Sequence, residues 1–580
     1  MKVEKTFFSV LLLCLSNLAW SQTYTQIQPQ QADGFPIFKV SIILMNDSSK
    51  SAIEMNDSAE MKRFYKAFGI QPGAIFNEFI MDAAIKRIVK EPNVKSVDLE
   101  LYNSQFSSSV WIKLIVAIQD TIKKAEVIGK KSGMLTKEGL KDFPVIYEND
   151  RSKLTFILNG SSGIFNEENA FLSEGSAFTQ GNPIANDPAG RGVRFWGEAD
   201  LEAGIGGIVQ LGKSNAYLYG AASVLTSGRN TSDIYSGSST IFTDFERLYG
   251  GLFLARLGKK ENITIDLSAG RNFFQLNDGF LISRISGSAN AGPRGNVYLS
   301  SRKAFEKTIL ATVQYPSLLF SFFFLEPDEL SNENQLNVNI TGASLDWNND
   351  SDYQIGVAYL GITGGSATYS TPEGKINKKG MYIVNPKIWL NSIAGTGLFF
   401  KSEYAYQSHY NADMRSNGWY AGLGYEAKWN WTPSIYYRYA FLSGDNPSTV
   451  TYERFDPLLT GGLGDWIQGI NYRKLLGNGN IISHRVQLQA YIDKRADLSL
   501  DYFALTADYL NNQGGLAPIS TLKSLNLGQE LTFSFRYYIN KNYMLLGIFS
   551  HAFRGQAMND AFSNPIFDWT SYQLAIFMFY

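Results

Sequence analysis

Ser571-Tyr572-Gln573-Leu574-Ala575-Ile576-Phe577-Met578-Phe579-Tyr580 ends the chain, and its reading decides the fold. Side chains of an extended strand alternate between two faces, so Tyr572, Leu574, Ile576, Met578 and Tyr580 share one face. That face is wholly apolar and finishes on an aromatic. A soluble strand seldom ends so. A strand that closes a barrel in lipid does, because its outer face must be apolar and its ends favour aromatic rings.

The same pattern recurs upstream. In Trp419-Tyr420-Ala421-Gly422-Leu423-Gly424-Tyr425-Glu426-Ala427-Lys428-Trp429 the odd positions are apolar or aromatic, and the even ones include Gly, Glu and Lys. The stretch has the length that a tilted membrane strand needs. Ser434 to Phe441 repeats it, with Ile435, Tyr437, Tyr439 and Phe441 on one face. Leu531 to Tyr537 does so again, with Thr532, Ser534 and Arg536 between. Soluble sandwich strands also alternate, but they are shorter and rarely carry aromatic pairs at their ends.

Composition agrees. Aromatic residues make up 14% and charged residues only 18%, with 52 glycines. A lipid-facing wall uses apolar side chains, aromatic girdles and glycine turns. The fold class expected is mainly β: a transmembrane antiparallel barrel preceded by a small α/β domain. At roughly 22–24 residues per strand with its loops, the residues from 191 to 580 make about 16–18 strands. Short turns at Asn430–Pro433, Asp493–Asp497 and Asn540–Asn542 put the long connections 443–481, 509–527 and 554–569 at the opposite end. A connection as long as 443–481 is expected to be functional.

The N-terminus reads as a secretory signal peptide, residues 1–21. Lys2 and Lys5 are its basic part, Phe7 to Leu18 its apolar part, and Ala19-Trp20-Ser21 its cleavage site, before Gln22. Cys14 lies within it, so the mature chain has no cysteine for disulfides or thiolate metal sites. Removing Lys2, Lys5 and Glu4 leaves 50 basic against 52 acidic residues. That balance argues against nucleic acid as a partner.

Residues 36–120 read as a soluble α/β unit. Phe38, Val40, Ile42 and Leu44 alternate as a strand. Glu60–Phe68 and Ile75–Val89 have helical spacing, with Pro72-Gly73 at the turn between them. Val94–Tyr102 and Val110–Ile118 are two more strands. The domain is placed at 22–125. Residues 126–190 form a transition whose place, in the lumen or outside it, stays open; Asn159-Gly160-Ser161-Ser162-Gly163 reads as a turn cluster.

Three resemblances follow from these stretches. The last ten residues resemble the C-terminal insertion signal of bacterial outer-membrane barrels. This implies lipid and the outer-membrane assembly machinery as partners. The order β-α-α-β-β, with Gly69-Ile70-Gln71-Pro72-Gly73-Ala74-Ile75-Phe76 between the helices, resembles a POTRA domain. These periplasmic modules bind partners by strand addition, which implies a domain on the periplasmic side with possible secretion partners through residues 36–120; the alternative is another small α/β cap or plug. The C-terminal third resembles the alginate export family of outer-membrane porins. Three segments carry this: Ser443-Gly444-Asp445-Asn446 with Arg454-Phe455-Asp456-Pro457-Leu458-Leu459; His484-Arg485-Val486-Gln487-Leu488 through Asp501-Tyr502; and Leu527-Gly528-Gln529-Glu530-Leu531 with Tyr537 and Phe553-Arg554-Gly555-Gln556-Ala557.

The last resemblance implies a single-chain barrel of about 18 strands that passes a polar or anionic polysaccharide, oligosaccharide or other solute. The POTRA-like unit departs from the simpler members and leaves a protein-translocating or assembly barrel as the alternative. Against it, such barrels share an Arg-Gly-aromatic loop tip. Here Arg191-Gly192 precedes Val193, Arg294-Gly295 precedes Asn296, and Arg554-Gly555 precedes Gln556.

Strand parity nominates Lys401, Lys428, Arg438, Arg485 and Arg536 as lumen-lining cations. A charge on the lipid side at mid-bilayer costs about 2–4 kcal/mol, so each is expected to point inward. They read either as a ladder for anionic solute or as a wall of salt bridges. No catalytic motif, cofactor site or metal site is expected: His409, His484 and His551 are far apart in sequence.

Overall fold

Eighteen strands, each pairing antiparallel with the next in sequence, close into a barrel. The computed structural model describes residues 26–46, 52–53, 59–103, 109–118, 131–136, 139–179, 191–284, 288–329, 337–349, 353–371, 374–460, 466–493 and 495–580. The expected signal peptide lies outside these residues, as does most of the stretch 119–133.

The N-terminal unit consists of β1 (Gln26–Ile27), α1 (Pro29–Ala32), β2 (Ile37–Asn46), β3 (Ala52–Ile53), α2 (Ala59–Phe68), α3 (Glu78–Val89), β4 (Val94–Asn103) and β5 (Val110–Ile118). Its sheet has the order β1-β4-β5-β2-β3, with β2 parallel to β5. The helix expected from Ile75 starts at Glu78, because the Asn77 side chain caps it, accepting from the Phe79 and Ile80 amides. Val40, Ile42, Leu44, Ile112, Leu114 and Val116 alternate toward the helices and are buried against Phe64, Phe68 and Ile88.

A short strand β6 (Val145–Glu148) leads into the wall. The first half of the wall is β7 (Ser152–Glu168), β8 (Val193–Gln210), β9 (Ala216–Arg229), β10 (Thr240–Leu257), β11 (Ile263–Asn272), β12 (Phe305–Tyr315), β13 (Leu318–Glu326), β14 (Val338–Asn349) and β15 (Tyr353–Gly365). A loop hairpin follows, β16 (Thr368–Thr371) and β17 (Gly374–Asn377). The second half is β18 (Met381–Leu390), β19 (Leu398–His409), β20 (Arg415–Glu426), β21 (Ser434–Leu442), β22 (Ile481–Asp493), β23 (Ala496–Thr506), β24 (Asn526–Asn540), β25 (Tyr543–Arg554) and β26 (Trp569–Phe579). β26 returns to β7, with Thr570 opposite Glu168 and Phe579 opposite Asn159.

The wall thus begins at Ser152 rather than at the expected 191. The cluster Asn159–Gly163 is not a turn but the middle of β7. Glycine and serine are poor strand formers alone; here the ladder holds them from both sides, through β8 and β26.

Side-chain parity is as the alternation predicts. Leu423, Ile435, Tyr437, Phe533, Tyr572, Leu574 and Ile576 are exposed on the outer wall, while Tyr420, Tyr436, Arg438 and Ala575 are buried inside. The exposed belt continues around β8 to β15 through Phe195, Leu201, Leu248, Ile309, Phe320 and Val357. Water would not tolerate such a continuous apolar surface, whereas hydrocarbon requires it. Turns at 427–433 and 541–542 lie at one end, and 443–480, 507–525 and 555–568 lie at the other, as expected.

Candidate functional site: a lumen closed from both ends

The inside of the barrel is filled rather than open. The first closure is the N-terminal unit, which sits within the wall at the short-turn end. Its contacts run from β7 to β15 and resume at β24. Lys153 pairs with Asp82 at 3.0 Å, Tyr249 accepts from the Asn77 amide at 3.0 Å, and the Gln71 amide donates to Gln314 at 3.1 Å. Asn348 donates to the Pro72 carbonyl at 2.8 Å, Gln354 to the Phe38 carbonyl at 3.0 Å, and Gln31 to the Tyr538 hydroxyl at 3.2 Å. Gly206 faces inward, and a methyl there would overlap the ring of Phe79. The POTRA resemblance implied a module on the periplasmic side; the described contacts instead lie against the inner face of the wall, as the plug alternative would have it. The element order resembles a free module, but its helices use their outer faces against the wall.

One residue ties this seat together. Arg247 on β10 is fully buried and reaches three carboxylates: Asp33 at 2.9 Å and Glu78 at 3.4 Å on the unit, and Glu202 at 2.9 Å on β8. Three acids thus share one guanidinium in a buried place. Burial, opposed by Arg247 and reinforced by Asp33, pushes the Glu78 carboxyl up to about 7. Burial raises Asp33 as well. Alternation could not have nominated Arg247. A bulge between Phe245 and Leu248 turns both Glu246 and Arg247 inward, so parity fails at these two residues.

The second closure is made by the described residues of two connections, 273–284 with 288–304 and 443–460 with 466–480, which fold into the lumen from the long-loop end. Phe280 stacks on Phe455 at 5.8 Å and meets Trp466 at 4.6 Å and Tyr420 of β20 at 5.5 Å. Ile282 bridges to Leu459. Around them Phe274, Leu281, Leu458, Tyr472 and Leu475 join inward-facing Phe323, Ile340, Leu360 and Phe503 in one buried cluster. Gly418 leaves the space that the Phe455 ring takes. Wall carboxylates hold the loop backbones. Glu198 accepts from the Tyr298 and Leu299 amides, both at 3.0 Å; Glu246 accepts from Lys303 at 2.7 Å and Ala304 at 3.1 Å; Glu530 accepts from Asn471 and Tyr472 at 3.1 and 2.9 Å. The long connection 443–480 is thus part of the lumen's filling, a role its length alone did not indicate.

The two closures touch at mid-lumen. Arg284 donates to the Gln31 and Asp33 carbonyls at 2.9 and 2.6 Å and stacks on Phe35 at 3.8 Å. Gly34, at φ +83°, brings the unit's tip against Phe273. Beside this junction lies a polar cavity of about 240 Å³, bordered by Gln31, Arg247, Arg284, Asp200 and Lys303. It has room for several waters.

Four of the five nominated cations lie on the inner face, each with a partner. Arg485 pairs with Asp501 at 2.7 Å and Arg536 with Asp497 at 3.0 Å. Arg438, opposite Arg485 in register, stacks on Trp466 at 4.1 Å, and Lys401 lies 4.8 Å over Trp389. Lys428 is a correction. β20 ends at Glu426, alternation ends with it, and Lys428 is exposed in the turn, donating to the Gly395 carbonyl at 3.0 Å. The even positions of β20 also differ from the polar lumen face expected of them: Gly418, Gly422 and Gly424 receive aromatic rings. Of the C-terminal group, Tyr572, Leu574 and Ile576 face outward and exposed, and Met578 and Tyr580 are half-buried. His409, His484 and His551 bond to the Asn377 carbonyl, the Tyr437 hydroxyl and the Thr570 hydroxyl.

No protein-family model matches the sequence, so the resemblance to alginate exporters gains no support there, and no curated protein is similar to it. Among solved structures, the chain is similar to OccK5 (OpdH) of Pseudomonas aeruginosa, at 10% identity and a TM-score of 0.45, over 73% of this chain and 97% of that one. It is similar to OpdK of the same organism, solved with vanillate, at 9% identity and 0.45, over 74% and 98%. Against Salmonella typhi OmpF in complex with daunomycin the values are 12% and 0.36, over 75% and 100%. Scores this low carry no functional weight, and the reading below rests on the geometry of this chain.

Proposed function

We propose that this chain is an outer-membrane channel shut by both closures, and that it conducts polar solutes when the N-terminal unit leaves its seat and the loop closure, freed from the Arg284 contacts that tie it to the unit, draws aside. The carrying observation is the seat itself, where Arg247 gathers Asp33 and Glu78 of the unit and Glu202 of the wall. Apolar wall residues such as Ile208, Tyr217, Phe253 and Met544 also join the unit's core, but a seat centred on one buried cation shared by three carboxylates is one that local electrostatics can loosen. In this reading the short-turn end faces the periplasm. Residues 36–120 then serve as a stopper rather than as a docking module for secretion partners.

The passenger we favour is a polar or anionic oligosaccharide or a comparable hydrophilic solute. Arg438, Arg485, Lys401 and Arg536 line the wall beside Gln487, Gln489 and Ser499, all but Arg536 buried on the inner face. Their partners make most of this lining a neutral, hydrogen-bonding surface rather than an open cation ladder.

The test is conductance in planar bilayers. The intact chain is expected to be quiet, and a chain lacking residues 26–118 to conduct steadily. Equal, steady conductance of both would remove the unit from the gate.

A further inference from the structure

The outer wall carries a slot where its first and last strands meet. Register places Phe535, Gly547, Leu574 and Ile164 side by side across β24, β25, β26 and β7. The next outward-facing row toward the long loops runs Phe533, Phe549, Tyr572. Gly547 is the gap in this surface. A Cβ there would meet only Phe535 Cδ1, at 4.0 Å. Glycine inside a strand costs stability and often marks a place where something else approaches the backbone closely. The resulting slot has a volume of about 490 Å³ and is walled by aromatic and aliphatic side chains.

We propose that this slot is a binding site for one acyl chain of a membrane lipid, held tightly enough to survive extraction. Three features choose that occupant. The slot lies within the exposed apolar belt, where hydrocarbon is the solvent. Its lining is almost wholly aromatic and aliphatic, so it offers dispersion contacts to an acyl chain and scarcely any polar partner. The rings of Phe533, Phe535, Phe549 and Tyr572 flank the gap at Gly547 alone, whereas contact with a second barrel requires a broad complementary surface of about 1,000 Å² or more. The site does not depend on how the lumen opens.

The experiment is native mass spectrometry of the full chain extracted in mild detergent from membranes, with lipid extraction to identify the adduct. The wild-type barrel is expected to carry a near-stoichiometric phospholipid or lipopolysaccharide adduct. Gly547→Leu fills the slot and is expected to lose it. Gly250→Leu is the control: Gly250 is another outward-facing glycine of the wall, flanked in register by Gly220 and Ala269 with no rings around it, and the adduct is expected to remain. Should Gly547→Leu not assemble, Phe549→Ala removes a wall of the slot and is expected to weaken retention. A lipid-free wild-type barrel, an adduct unchanged in Gly547→Leu, or a lipid-free oligomer that Gly547→Leu dissociates would each overturn the proposal.

Discussion

The two closures of the lumen are built from different chemistry. The connections 273–304 and 443–480 are packed like a domain interior, ring on ring, with Phe280, Phe455, Trp466 and Tyr420 excluding water and wall carboxylates capping the loop amides. The N-terminal unit shares its apolar core with inward-facing wall residues such as Ile208, Tyr217, Phe253 and Met544, and adds polar contacts to the wall centred on Arg247. Apolar packing resists opening in proportion to the area it hides. Ion pairs that share one buried cation stand or fall with that cation's balance of charge. On the proposed gating the unit moves first, and the loops yield only once Arg284 has lost its partners on the unit.

The strongest way to break this contrast is to hollow the loop core. Removing the ring of Phe280 and that of Trp466 costs about 3–5 kcal/mol each, so the double alanine variant has the largest expected effect. Thermal unfolding of the barrel should fall sharply. An unchanged melting temperature would show that the loops are not a core at all.

Arg247→Met acts on the other closure. It leaves Asp33, Glu78 and Glu202 without their shared cation, and orphaning buried charges of this kind costs about 3–5 kcal/mol. The cost falls on the seat, so channel openings should become frequent while the wall keeps its heat-modifiable mobility. A variant as quiet as wild type would mean that contacts such as Phe79 at Gly206 hold the unit alone.

The smallest effect sharpens the comparison through pH. In the seat Glu78 titrates at about 7, above its ordinary value of 4.5, which it regains once the unit is released. A raised pKa means that the seated state binds the proton more tightly. Its stabilisation is present in full below about pH 4.5 and is lost as pH rises to about 7. Asp33, raised by burial, acts in the same direction; Arg247 opposes both, joined by Lys153 at Glu78 and by Arg284 at Asp33. Openings should therefore become more frequent across that window, and Glu78→Gln should flatten the profile. A wild-type profile already flat, or one sloping the other way, would remove Glu78 from the latch.

How much of this was legible differs between wall and filling. The wall was, because lipid on one side imposes a strict period of two, and Trp419–Tyr425, Ser434–Phe441 and Tyr572–Ile576 obey it. The unit's strands and helices were legible for the same reason, each having a single buried face. Where alternation lapses, so does the reading. β7 was hidden behind Asn159–Gly163, whose residues are held as strand only by partners far away in sequence. Arg247 was hidden by its bulge. The inward fold of 273–304 left no local trace, since Asn277, Asp278 and Arg284 look like any polar loop until Tyr420, Glu403 and Asp33 are brought to them. Arg438, Arg485 and Arg536 lie on the inner face, but their partners, Trp466, Asp501 and Asp497, come from other segments.

The central claim is that the N-terminal unit sits inside the wall. Asp82 of α3 and Lys153 of β7 are 3.0 Å apart across that boundary. The described chain contains no cysteine of its own, so the double variant Asp82→Cys, Lys153→Cys offers a single pair to a short bifunctional thiol reagent in whole cells. The account predicts near-complete intramolecular cross-linking and a channel that stays shut even when Arg247→Met is added. A pair that fails to cross-link while the barrel assembles normally would contradict it, placing the unit outside the lumen.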